Sequence, residues 1–165
     1  MKEKVKHYAK EIVVFFVLLT IFANIISFLK SSDLNKQQLS NINLELIDNS
    51  FYNYDTSKPI LVHFWATWCP TCKLEAPNIQ TISENFQVVT IAVKSNSNQE
   101  IQEYLNERDL TFKVHNDREG VLSSKYKVMA YPTTFIYNKD GKLVFSEVGY
   151  TSTWGLWLRI WWAGL

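Results

Sequence analysis

The residues best suited to chemistry in this 165-residue chain are its only two cysteines, Cys69 and Cys72, in Trp68-Cys69-Pro70-Thr71-Cys72. The apolar run Pro59–Ala66 precedes them and reads as a strand. The segment Pro70–Phe86 follows and reads as a helix. A thiol at the first turn of a helix faces free N–H groups and a positive partial charge, which stabilise the thiolate, the reactive form. Pro70 suits that turn because its missing N–H would have no partner there. Cys69, at the helix tip, is expected to be the more exposed thiol and the attacking one. It would form a mixed disulfide that Cys72, one turn further in, resolves. The reverse sequence oxidises a dithiol, and the spacing does not set the direction. A purely structural disulfide is a poor account, because so short a loop gains only about 2 kcal/mol. Zinc asks for about four ligands, and the chain has two cysteines and three scattered histidines, His7, His63 and His115. Two-coordinate Cu(I) on the cysteine pair stays open as a non-enzymatic alternative.

Glu75 lies three residues past Cys72 and therefore on the same helix face. If that face is buried, the carboxyl has a raised pKa and can take the Cys72 proton during resolution. The rest of the helix carries Leu74, Ile79, Ile82 and Phe86 at helical spacing, with Pro77 expected to kink it. Around this unit the chain alternates. Leu44–Asp48 reads as a short strand, and Gln87–Lys94 as a buried one. Gln99–Arg108 is a helix capped by Ser97 or Asn98, with Ile101, Tyr104 and Leu105 inward. Thr111–His115 is a strand, Glu119–Tyr126 a helix, and Ala130–Tyr137 a strand opened by Pro132. Asn138-Lys139-Asp140-Gly141 is a hairpin turn, and Lys142–Gly149 returns as a strand. Trp154–Leu165 holds four of the six tryptophans and one charge, Arg159. It reads as a last helix packed on the sheet, or as one laid on a membrane surface, where Trp is favoured. The pattern is α/β, a mixed sheet with helices on both faces.

The segment from Pro59 to Pro77, with Phe64-Trp65-Ala66-Thr67-Trp68-Cys69-Pro70-Thr71-Cys72 at its centre, resembles the active-site segment of thioredoxins. More narrowly it resembles the TlpA-like, membrane-anchored branch, and within it the thioredoxin-like proteins of bacterial suppressor-of-copper-sensitivity systems. The resemblance runs from about Asn43 onward and implies a thioredoxin fold. It implies thiol–disulfide exchange with proteins of the cell envelope, as a reductant fed by a membrane thiol electron transporter. Clients would belong to cytochrome c maturation or to copper-related systems; an oxidase of the same fold is the alternative. It makes Glu75 the proton acceptor and Pro132 a cis-proline lying against the cysteines. The Tyr131 backbone is then free to pair with substrate, and Trp68 shields the disulfide and contacts substrate. Pro70 and Thr71 tune the potential. His63 replaces the buried Asp of thioredoxins, which suggests a tuning role. No cofactor is implied beyond the Cys69–Cys72 disulfide, and no metal.

Residues 12–29 are uncharged, with Thr20, Asn24 and Ser27 as the clearly polar members. As a helix they would span about 27 Å, close to the hydrocarbon thickness. Lys2, Lys4, Lys6 and Lys10 precede them; only Lys30 and Lys36 follow closely. The positive-inside rule then gives a cytoplasmic N-terminus at residues 1–11, an inner-membrane anchor at 12–29, a tether at 30–42 and a periplasmic thioredoxin-like domain at 43–165. A net charge of +1 offers no electrostatic case for nucleic acid.

Overall fold

The computed structural model describes residues 43–165 throughout and, ahead of them, Tyr8, residues 10–15, Val17, Leu18, Ile21, Phe22, Leu34 and Leu39. Its elements are β1 (Ile60–Trp65), α1 (Pro70–Ser83), β2 (Gln87–Val93), α2 (Asn98–Asn106), β3 (Val114–Asp117), α3 (Val121–Lys125), β4 (Thr133–Tyr137), β5 (Leu143–Val148) and α4 (Thr153–Ala163). The sheet order is β3-β2-β1-β4-β5. β1, β2 and β3 run parallel, whereas β4 is antiparallel to β1 and to β5. This is the expected mixed α/β sheet, with β1 in the middle.

β1 is buried at all six positions, as a strand covered on both faces must be. Leu61 and Trp65 pack into one core with Ile79 and Ile82 of α1, Ile101 and Leu105 of α2, and Leu156 and Ile160 of α4. Ile60, Val62 and Phe64 point the other way, to Leu34, Leu39, Leu46 and Val128. The α2 cap is a capping box, with Ser97 Oγ accepting from the Glu100 N–H and the Glu100 carboxylate accepting from the Ser97 N–H. Gly141 closes the β4–β5 turn with a positive φ of 70°, which glycine adopts without steric cost.

Several expectations shift. Leu44–Asp48 is not a strand. Only Glu45 and Phe51 form an isolated bridge, because the Asp48 carboxylate accepts from the Ser50 N–H and hydroxyl and turns the chain at once. α1 runs through Pro77 but ends at Ser83, so Phe86 lies beyond it. Leu74 is not on its inner face; it is 72% exposed. The third strand starts at Val114 rather than Thr111, because the Thr111 N–H donates to Gln80 Oε1 of α1 instead of joining the ladder. α3 is shorter than Glu119–Tyr126, and the Asp117 carboxylate takes the N–H groups of Leu122 and Ser123.

Most of residues 1–42, including most of the 12–29 stretch, lies outside the described residues. Within it Ile12, Val13, Val14, Phe15, Val17, Leu18, Ile21 and Phe22 are helical and exposed. Among the described residues no helix is long and apolar enough to cross a membrane.

Candidate active site

β1 ends at Trp65 and the chain passes through Ala66, Thr67 and Trp68 to Cys69, the N-cap of α1. Three side-chain contacts fix this crossing. Trp65 Nε1 donates to Thr90 Oγ1 at 3.0 Å, the Thr67 N–H donates to Ser95 Oγ at 3.1 Å, and Trp68 Nε1 donates to the Lys94 carbonyl at 3.1 Å. Cys69 and Cys72 are joined as a disulfide across the first turn, with Cα atoms 5.3 Å apart. The Cys72 N–H points at Cys69 Sγ at 3.1 Å. That donor, together with the helix N-terminus, is what a Cys69 thiolate needs once the pair is reduced.

Cys69 is not the open thiol that its place at the helix tip suggests. Cys69 and Cys72 are both buried, at 4% and 2% exposure. The cause is the loop before β4. The Tyr131–Pro132 bond is cis, and the Tyr131 carbonyl oxygen lies 3.6 Å from Cys69 Sγ. The Trp68 and Tyr131 rings meet edge to face with centroids 5.7 Å apart. Trp68 is 56% exposed and forms the rim. Pro70 is exposed and Thr71 half-buried, both on the first turn beside the disulfide. The structure therefore brings Cys69, Cys72, Trp68, Tyr131 and Pro132 together, with Pro70 and Thr71 at the edge.

Glu75 is fully buried, one turn beyond Cys72 on the inner face of α1. Its Oε1 accepts from the Thr151 N–H at 2.9 Å, while Oε2 has no hydrogen-bond partner. Loss of water raises its pKa from an ordinary 4.5 to about 8, against a lowering by the Thr151 N–H. His63 is buried in the middle of β1, and its Nδ1 lies 2.9 Å from Thr134 Oγ1 on β4. Burial alone lowers its pKa to about 3, so the ring is neutral. Its neighbour across the sheet is a hydroxyl, not a carboxylate.

Sequence reasoning did not find the residues that hold Glu75. Asn78 Nδ2 donates to the Thr151 carbonyl, and Thr153 Oγ1 donates to Asn78 Oδ1, which fixes the Thr151 backbone against α1. Ser152 is the α4 N-cap, and a polar residue ahead of an apolar run is the signal that could have found it; Asn78 carried no signal.

A cysteine pair at a helix N-terminus, backed by a cis-proline loop on a mixed sheet, defines the class: a thioredoxin-fold thiol–disulfide oxidoreductase. The chain belongs to the AhpC/TSA family, whose model matches residues 32–146. It is 28% identical over 164 residues to the thioredoxin-like protein of Haemophilus influenzae, covering 97% of each chain. It is 32% identical over 96 residues to sporulation thiol-disulfide oxidoreductase A of Bacillus subtilis, covering 54% of this chain and 58% of that one. The crystal structure of a secreted disulfide oxidoreductase from Mycobacterium tuberculosis superposes with a TM-score of 0.62 at 26% identity, over 71% of this chain and 92% of that one.

Proposed function

We propose that this chain is a membrane-anchored reductant of protein disulfides, held at the outer face of the inner membrane by residues 12–29. The uncharged 18-residue stretch with lysines ahead of it supports the anchor, and the secreted relative supports an envelope location. Clients in cytochrome c maturation or copper handling, and a membrane thiol transporter as electron donor, rest on the resemblance of residues 59–77.

The observation that carries the exchange reading is buried Glu75, one turn from Cys72, whose Oε2 has no hydrogen-bond partner; the reductant direction rests on the resemblance of residues 59–77. Cys69 thiolate attacks one sulfur of the client disulfide, forming a mixed disulfide and releasing the client's other sulfur as thiolate. Cys72 must then lose its proton in an interior that disfavours charge. Glu75 ionises at about 8, close to an ordinary thiol's 8.5, so in the fraction that carries it as carboxylate, about a tenth at pH 7, Oε2 takes that proton at little cost. Cys72 thiolate attacks Cys69 Sγ, restores the intramolecular disulfide and releases the client's second thiolate. Two electrons have passed to the client, and an external dithiol returns them. Trp68 and the Tyr131 backbone border the attacking sulfur of Cys69 and present an edge to an extended client segment. His63, neutral and tied to Thr134, tunes the site by packing without charge.

The test is made in cells. Acid quenching followed by thiol alkylation should find Cys69 and Cys72 mostly reduced, and Cys72→Ser should accumulate mixed disulfides through Cys69. A pair resting oxidised would reverse the direction to oxidase. Absence of any trapped species would remove protein disulfides as the substrate.

A further inference from the structure

The two long sides of α4 are both apolar, and only one is covered. Leu156, Ile160 and Ala163 are buried against α1 and the sheet. The other side presents Trp154, Leu158, Trp161 and Trp162, followed by Leu165, each about half exposed or more. Trp157 and Trp161 stack with planes 2° apart and centroids 6.3 Å apart, which makes a flat aromatic surface. The helix's one charge is turned away from that surface: Arg159 Nε donates to Glu147 Oε1 of β5 at 2.9 Å, and its Nη1 donates to the Gly155 carbonyl. Six large apolar side chains thus form an uncharged outer face. Indole is the side chain best suited to the headgroup layer of a bilayer, because it is apolar in body and carries one N–H donor.

The route of the chain indicates what covers this face. Leu34 and Leu39 of the tether are buried against Ile60 and Val62, and the Leu39 N–H donates to the Gly141 carbonyl in the β4–β5 turn. The Ile60–Tyr137 register places that turn at the Ile60 end of β1. Pro59, just ahead of β1, lines one groove with Phe86, Trp161 and Leu165. The tether from the apolar 12–29 stretch therefore enters the domain at the pole where the Trp-rich helix ends. Lys139 and Lys142 are exposed in the same turn, with a charge that suits anionic headgroups. The described apolar residues of the stretch itself, Ile12 to Phe22, are exposed and do not cover α4.

We propose that the outer face of α4 lies on the lipid bilayer, with its tryptophans at headgroup depth. The proposal rests on the anchored reading of residues 12–29. It also puts the membrane contact next to the chemistry, because Thr151, whose N–H holds Glu75, immediately precedes the α4 cap.

The test uses the full chain in vesicles of phosphatidylethanolamine and phosphatidylglycerol, with and without bromine on the acyl chains near the headgroup. Four of the six tryptophans lie in α4, so brominated lipid should lower emission about twofold or more. In a chain carrying Trp154→Tyr, Trp161→Tyr and Trp162→Tyr most of that loss should vanish, with disulfide exchange unchanged. A chain that does not float with the vesicles overturns the anchor. A chain that floats but keeps full emission, with its tryptophans open to aqueous acrylamide, overturns the docking and leaves the anchor standing. Tryptophans shielded from both quenchers would mean that protein, such as a second copy, covers the face, which also overturns the proposal.

Discussion

Glu75→Gln should make the oxidised protein more stable as pH rises, by an amount the burial of this one carboxyl sets. The side chain is fully buried, and glutamine keeps its size and can keep the bond from the Thr151 N–H through Oε1. In the unfolded chain Glu75 ionises near 4.5; in the fold it holds its proton to about 8. Below pH 4.5 both states are protonated, and the group adds nothing to the pH dependence. Between 4.5 and about 8 only the unfolded state ionises, so wild-type stability falls through that window. At 1.36 kcal/mol per pH unit the interval amounts to about 5 kcal/mol, an upper figure because buried acids gain some water when they ionise. Glutamine has no such loss.

The measurement is urea unfolding of the full chain in detergent micelles, followed by circular dichroism from pH 4 to 9. The disulfide is kept oxidised so that neither cysteine titrates. Every other ionisable group is common to the two proteins, so the difference between the curves isolates Glu75. It should be flat below 4.5, widen steadily, and level off above 8 in favour of glutamine. Curves that stay parallel within about 1 kcal/mol over the whole range would refute the reasoning, since Glu75 would then titrate as a solvated carboxylate and could not be the matched proton acceptor for Cys72.

The remaining expectations concern the scaffold. His63 is neutral in the fold down to about pH 3, whereas in the unfolded chain it protonates near 6.5. It therefore contributes stability that is present above 6.5 and lost as pH falls toward 3. His63→Gln should flatten that acid limb of the same unfolding experiment by up to about 5 kcal/mol; an unchanged limb would mean that water reaches the ring. Leu156→Ala removes a fully buried side chain of α4 from the core it shares with Leu61 and Ile79. It should cost about 2–5 kcal/mol by thermal or urea unfolding, and a loss under about 1 kcal/mol would show that α4 is loosely docked.

What the sequence made legible was local. The apolar run of β1, the cysteine spacing, the cap of α2, the Asn138–Gly141 turn and the proline opening β4 are each decided within about ten residues, and each stands where expected. What it hid depended on contacts between distant residues. Leu74, read as an inner-face residue, is exposed, whereas Glu75 takes the buried face that its three-residue spacing from Cys72 had allowed. The acid is held there because the inner face of α1 is met by the Thr151 backbone, 76 residues away, which offers an N–H that only a polar side chain can use. Cys69 looked open because the helix tip usually is; the Tyr131–Pro132 loop, 62 residues on, closes over it. The register of β3 was hidden for the same reason, since Gln80 of α1 takes the Thr111 N–H out of the ladder.

Glu75 and His63 act on stability in opposite senses, and their windows overlap. From pH 3 to 6.5 His63 adds stability as pH rises, and from 4.5 to about 8 Glu75 removes it. The two slopes cancel between 4.5 and 6.5, and above 6.5 only the loss from Glu75 remains. At pH 7 the buried acid thus costs the fold roughly 3 kcal/mol that a glutamine would not, a large share of the 5–15 kcal/mol that ordinarily holds a domain together. Stability does not explain a carboxyl at that position. The proposed proton exchange with Cys72, one turn away, would explain it, with one oxygen held by Thr151 and the other without a partner. The cost should fall selectively on the oxidised state: once Cys72 is a thiol, it and Glu75 titrate as a coupled pair rather than Glu75 as an isolated buried acid.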